Sequence, residues 1–182
     1  MLIRQCTPAD ESRICEVVND AAVAYRGVIS SDRWKEPYMP LSELQHEIGS
    51  GVSFWGAYQG DVLIGVMGLQ HVEDVSLIRH AYTRTNRQGQ GIGKALLKYV
   101  TSQTGRPLLI GTWKAATWAI GFYQSQGFRL LGNEKDDVLR RYWTIPERQI
   151  EESVVLADER WIRGSVASVS YTHLTLPTNR EV

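Results

Sequence analysis

The chain has 182 residues, 43% of them hydrophobic and 22% charged, and its 20 basic side chains balance 20 acidic ones. That length and composition suit one globular domain with a substantial core. The charge balance argues against a nucleic-acid footprint, so any anion site has to be local, built from backbone and a few side chains. Met1-Leu2-Ile3-Arg4-Gln5 is no secretory leader, and the longest near-apolar run, Val62 to Leu69, is far too short to span a bilayer. The chain therefore reads as cytoplasmic, with no membrane partner. Cys6 and Cys15 have neither CxxC nor metal-ligand spacing and read as buried free thiols; no metal is expected.

Leu2 to Cys6 forms a first short strand. Thr7-Pro8-Ala9-Asp10 is a helix start, with Thr at the N-cap, Pro at N1 and an acid at N3. Ile14, Val17, Val18, Ala21, Ala22 and Tyr25 then recur at helical spacing up to Gly27. Residues 28 to 40 have no clear period but contain Trp34 and Tyr38, aromatics that suit a loop beside a ligand. Leu41, Leu44 and Ile48 make a short helix closed by Gly49. Val52 to Tyr58 and Val62 to Val72 read as strands joined by a turn at Gln59-Gly60-Asp61, and Val75 to Thr83 as a third. A glycine-rich loop leads into a helix on which Ile92, Ala95, Leu96, Tyr99 and Val100 share one face. Leu108 to Thr112 is a buried strand, about 115 to 126 a helix, Phe128 to Leu131 a strand, Lys135 to Arg141 a helical turn, and Ile150 to Ala157 a last strand. Three strands joined without helices predict an antiparallel meander. The fold class is α/β (α+β type): a single domain with a central, mixed, mostly antiparallel sheet and helices on both faces.

The stretch with the most chemistry is Arg87-Gln88-Gly89-Gln90-Gly91-Ile92-Gly93-Lys94. A strand, a glycine turn and a helix aim free backbone N–H groups and a helix N-terminus at an anion. Alternate glycines let the backbone come close to a phosphate. A P-loop is excluded, because Gln88 and Ala95 stand where Gly and Ser or Thr are needed. The dinucleotide fingerprint also fails, since its third glycine position holds Lys94. Gln88-x-x-Gly91-x-Gly93 instead resembles the [Arg/Gln]-x-x-Gly-x-[Gly/Ala] loop of the GNAT superfamily of N-acyltransferases. A second stretch, Ala116-Thr117-Trp118-Ala119-Ile120-Gly121-Phe122-Tyr123-Gln124-Ser125-Gln126-Gly127-Phe128, is similar to that superfamily's Asn-x-x-Ala-x-x-Phe-Tyr-x-x-x-Gly-Phe, with Ala116 replacing the Asn. The resemblance covers approximately residues 1 to 157.

The resemblance implies an acetyl-CoA-dependent N-acetyltransferase with acetyl-CoA as cosubstrate and no metal. Its pyrophosphate would lie on Gln88, Gly89, Gln90, Gly91, Ile92, Gly93 and Lys94. The pantetheine arm would lie along Ala81, Tyr82 and Thr83 and beside Ala116, Ala119 and Phe122. Tyr123 matches the family's tyrosine that protonates the departing sulfur. For the base, His80 ranks before Glu73, with His71 and Arg79 also near that strand; an imidazole is the side chain that ordinarily titrates near neutrality. Strand alternation puts His80 on the face of Ile78 and Tyr82, where a hydrogen-bonded core histidine is the competing reading. Trp34 and Tyr38 suggest an aromatic wall, and Asp32 or Glu36 an attraction for a cationic amine. The acceptor would be a small-molecule or peptide amine, and the enzyme a monomer or homodimer. The alternative is a non-catalytic acyl-CoA-binding sensor on the same fold, which the loss of the Asn at Ala116 favours. A nucleotide-binding domain is weaker, given the failed spacings.

The chain divides into an acetyltransferase-like domain over 1–161 and a tail over 162–182 with an abrupt Ser/Thr shift. Residues 171 to 182 resemble translated adaptor read-through and are set apart from the functional reading.

Overall fold

In a computed structural model that describes residues 1–172, the apolar periods of the sequence become one seven-stranded sheet. The strands are Leu2–Gln5 (β1), Val52–Gln59 (β2), Val62–Val72 (β3), Val75–Thr83 (β4), Leu108–Trp113 (β5), Arg129–Leu130 (β6) and Ser153–Ala157 (β7). Their spatial order is β1-β2-β3-β4-β5-β7-β6. All neighbours are antiparallel except β4 and β5, which are parallel because a helix crossover joins them. The meander β2-β3-β4 is as expected, and so are the helices on both faces.

One face carries Ile92–Thr101 (α3) and Thr117–Ser125 (α4), packed with Ile64, Met67, Leu69, Ile78 and Ile110. The other carries Glu11–Ala22 (α1) and Leu41–Gly49 (α2) over Phe54, Leu63 and Val66. Beside them, Lys135–Tyr142 (α5) and Glu147–Glu151 (α6) cover Leu77, Leu109 and Val155. The position of α3 depends on Gly65 in β3. A Cβ there would come within 2.8 Å of Ile92 Cγ2, so any side chain would push the helix N-terminus off the sheet.

Two elements differ from expectation. The last strand begins at Ser153, because Pro146 initiates the short α6 in front of it. It also returns between β5 and β6 rather than at an edge. At the C-terminus, Glu159–Thr172 (α7) is helical, and Trp161 and Ile162 pack against the Tyr142 cluster. The rest of the compositionally distinct tail, 173–182, lies outside the described residues. Both cysteines are free; Cys15 is buried, whereas Cys6 is half-buried. Among the described residues no helix is long and apolar enough to cross a membrane.

The decisive irregularity lies in β4. Gly68 pairs with Arg79 and Val66 with Tyr82, so His80 and Ala81 together face the single residue Met67. This is a β-bulge, and His80 takes it up with φ of 50°, a left-handed conformation uncommon for a non-glycine residue. The extra residue resets the alternation. Ile78 packs in the α3 layer, whereas Tyr82 packs with the α1 layer. His80 stacks on Phe54 of that second layer at 6.0 Å. The expected common face of Ile78, His80 and Tyr82 is thus corrected by one inserted residue. Pairing between β4 and β5 covers Ser76↔Leu108 to Ile78↔Ile110 and goes no further, so the two strands part just where the bulge begins.

The helix start at residues 7–10 anchors the chain's first crossover. Thr7 N–H donates to Asp10 Oδ2 at 2.8 Å, and Arg4 donates to both carboxylate oxygens at 2.9 and 3.2 Å. Asp10 is only 2% exposed. The hydrogen bonds from Arg4, helped by Thr7, hold its carboxyl far below the usual range against the opposing effect of burial. Because the folded value lies below the unfolded one of ~3.9, this stabilisation is complete above that pH and is lost as the pH falls toward the folded value. Asp10→Asn is expected to cost about 2 kcal/mol at neutral pH. In thermal unfolding at a series of pH values, the gap to the parent protein should narrow in acid. A gap that stays constant down to acid pH would contradict this role.

Candidate active site

Where β4 and β5 part, two cavities meet. The larger, of about 590 Å³, runs from the glycine loop along β4 to α4. Its floor follows from the local sequence. Gly91, with φ of 77°, is the N-cap of α3, and Gly89 is likewise left-handed at 75°. This turn leaves the first amides of the helix facing the cavity, since the first intrahelical bond is made only by Ala95 N–H to Gly91 O. The loop is tied down from behind: Asp20 accepts from Thr85 N–H at 2.7 Å, and Arg84 Nε donates to Leu63 O at 2.7 Å. Arg87 and Lys94 also line the cavity, and among the described residues neither is in an ion pair. Free amides, a helix N-terminus and two available cations form a surface suited to phosphates.

Of the residues singled out from sequence, Ala81, Tyr82, Thr83, Gln88, Gly89, Gly91, Ile92, Gly93, Lys94, Ala119, Phe122 and Tyr123 all line this cavity. Gln90 does not; it is exposed on the loop's outer side. Ala116 is fully buried at the start of α4 and also lies behind the lining. Tyr123 is 6% exposed, held edge-on between Phe122 and Phe128. Burial pushes its phenol well above the ordinary value, so it keeps its proton at neutral pH.

The smaller cavity, of about 170 Å³, lies on the α5–α6 side of the same gap. His80 and Tyr38 line it, and Trp34 stacks on Tyr38 at 5.6 Å without reaching the lining. Glu73 belongs to neither cavity. It sits at the β3–β4 turn with φ of 49° and pairs with Arg141 at 2.9 Å, a whole strand away from the bulge. Tyr25 and Tyr82 line both cavities and meet edge to face at 6.3 Å, forming the partition between them. Burial raises both phenols, Tyr25 to about 12.

Sequence reasoning missed Glu47, Tyr25, Trp118, Trp113 and Trp143. Glu47, on α2, accepts from Arg79 Nη2 at 3.2 and 3.0 Å. Its Oε2 lies 3.5 Å from His80 Nε2, a buried atom with no hydrogen-bond partner. Burial alone would raise the Glu47 carboxyl; contact with His80 and the charge of Arg79 outweigh it and hold it low. Among the described residues no group of three or more His, Cys, Asp or Glu side chains is arranged to hold a metal ion.

The family model for an acetyltransferase (GNAT) domain matches residues 50–130, from β2 through the glycine loop to β6. Among solved structures, PaiA N-acetyltransferase from Thermoplasma acidophilum, in complex with coenzyme A, is similar with a TM-score of 0.66 at 19% identity, over 86% of this chain and 97% of that one. A GNAT-family acetyltransferase from Staphylococcus aureus Mu50 gives 0.63 at 19%, over 86% and 97%. The ribosomal-protein-S18-alanine N-acetyltransferase from Escherichia coli gives 0.61 at 15%, over 86% and 92%. At these identities the likeness is one of fold. No curated protein matches the sequence significantly.

Glu47→Gln keeps the shape and removes the charge facing Arg79 and His80. It is expected to lower stability by about 1–2 kcal/mol, read by thermal or urea unfolding near neutral pH. An unchanged midpoint would mean that Gln70, which accepts from Arg79 Nη1 at 2.8 Å, suffices alone.

Proposed function

We propose that this chain, which carries a GNAT acetyltransferase domain, transfers an acetyl group from acetyl-CoA to a primary amine by direct attack of the amine on the thioester. The observation that carries the reading is the phosphate-suited cavity on the α3 N-terminus, which has a protonated, buried Tyr123 in its wall and opens through the β4–β5 gap toward His80. The acetyltransferase unit is taken as residues 1–161.

The loop amides from Gln88 to Lys94, with Arg87, hold the pyrophosphate, and the Ala81–Thr83 edge holds the pantetheine arm. The amine enters from the smaller cavity. His80 takes its proton, directly or through water, which frees the nitrogen lone pair for attack. The backbone N–H near Ala81 donates to the thioester oxygen as negative charge develops there. The new C–N bond forms, the C–S bond breaks, and Tyr123 gives its proton to the departing sulfur. The second proton, leaving the nitrogen as the neutral amide forms, restores the Tyr123 phenol, directly or through water. A phenol raised by burial is a weak acid toward a thiolate, whose conjugate thiol titrates near ~8.5. Tyr123 is therefore assigned a moderate share of the barrier. The second reading, a sensor that binds acyl-CoA without turnover, draws on the buried Ala116, which brings no side-chain amide to the pantetheine.

Two variants test the assignment. Gly91→Val puts a branched side chain at a left-handed position where a Cβ meets no protein atom within 4 Å, so the added bulk faces the ligand side. Backbone strain of about 1–2 kcal/mol should lower the melting temperature modestly. CoA affinity by calorimetry should fall by tenfold or more, that is ~1.4 kcal/mol; unchanged affinity would remove the loop from the site. Tyr123→Phe retains the ring and its packing. Its kcat should fall ~10²-fold with KM little changed, the lower end of the range for general acids. A parent protein that binds acetyl-CoA but acetylates no amine would favour the sensor instead.

A further inference from the structure

The smaller cavity has an unusual lining for a site that must admit an amine. Its walls include the rings of Tyr25, Tyr38, Tyr82, Trp113 and Trp143, and Arg79 and His80 are the only basic side chains in its lining. No carboxylate lines it. The carboxylates of adjoining segments are already engaged: Glu47 by Arg79 at 3.0 Å, Asp32 by Arg148 at 2.7 Å, Glu152 by Ser30 Oγ at 2.9 Å, and Glu36 by Arg26 at 3.5 Å. Arg79 is committed as well, through one terminal nitrogen to Glu47 and the other to Gln70. The aromatic character is built into the backbone, since Trp143 lies across Gly111 of β5, where a Cβ would meet the indole at 3.1 Å. Trp34 extends the ring wall outward from Tyr38.

Each charged group on an acceptor has to regain, inside the cavity, what it loses in leaving water. A polyamine or aminosugar needs carboxylates for its remaining ammonium groups, and none is offered. A free amino acid needs a cation for its carboxylate, and Arg79 is already matched. A single ammonium can be accepted on π faces until it gives up its proton, and an apolar body can pack on the same rings.

Building on the acetyltransfer reading, we infer that the acceptor is a primary monoamine with a compact aromatic or cyclic apolar body and no second charge, the class of 2-phenylethylamine. The polar lining groups Thr112, Gln149 and Ser153 are neutral and leave room for a hydroxyl on that body.

The test separates the class of amine from the chemistry. Calorimetric titration of 2-phenylethylamine, spermidine, free phenylalanine and a short alanine-starting peptide into the CoA-loaded protein reads the cavity without turnover. Thiol release from acetyl-CoA with the same four compounds reads the reaction. The monoamine should bind, and should exceed each of the others in kcat/KM by about tenfold or more. Gln149→Glu should move the preference toward spermidine by supplying the missing carboxylate. Tyr38→Ala should raise KM for 2-phenylethylamine more than it lowers kcat. Saturable binding of the monoamine without acetyl transfer would support the class while overturning the acetyltransfer reading. Tighter binding of spermidine, phenylalanine or the peptide, or no monoamine binding at all, would overturn the class.

Discussion

The site depends on one inserted residue. Without the bulge at His80 and Ala81, β4 would continue its alternation, and its register with β5 would have no reason to end at Ile78 and Ile110. The left-handed backbone of His80 carries a conformational cost of about 1–2 kcal/mol. Surrounding contacts hold it there: Phe54 under the ring, Glu47 at its edge, and Arg79 fixed on both sides. Strain of this kind persists only where neighbours over-determine it, and such places tend to be functional. Here it does two jobs in one step, opening the sheet and putting the adjacent Arg79 and His80 on one face, both against Glu47 of α2, before Ala81 turns toward α3.

The sequence is legible wherever a period or a backbone requirement writes itself into residue types. The positions Ile14, Val17, Val18, Ala21 and Ala22 predicted for α1 are its buried face. Gly89 and Gly91 stand in the loop because the turn needs positive φ, and the cavity found there contains nearly every residue expected of it. A bulge leaves no such mark. His80 fits a regular strand as well as a bulged one, so its face could not be read. Glu73 looked close to β4 in sequence, yet a strand is long, and the turn end is the wrong end. Glu47 sits among the polar positions of α2, indistinguishable there from a solvated carboxylate. Trp143 had one visible correlate, a glycine inside the buried strand β5, which signals close approach without saying by what.

A chain with balanced total charge makes two adjoining chambers of different electrostatic character. On the α3 side, Arg87 and Lys94 line the cavity without a paired acid. Around the smaller cavity, Arg79 is matched at short range by Glu47, and nearby Asp32 by Arg148. Net charge gives no hint of this, since local pairing sets the field inside a cleft.

The partition between the chambers has a consequence for the proton. Tyr25 and Tyr82 are both held protonated by burial, so the wall they form is neutral and of low polarity on either side of neutral pH. On the proposed reading, the amine's proton is released in the second chamber, next to His80 and Glu47, and the sulfur departs in the first. Phenols that do not readily ionise are poor relays between the two. Nitrogen and sulfur nevertheless share one carbon in the tetrahedral intermediate of direct attack. The amine therefore has to reach past these rings to the thioester, and on this reading the sulfur side has a donor of its own. The donor so proposed, Tyr123, lies on α4 and lines the same cavity as the phosphate-suited amides of α3. The base and the acid so proposed lie on either side of the bulge, and the reacting nitrogen, carbon and sulfur would have to sit together in the gap that it opens.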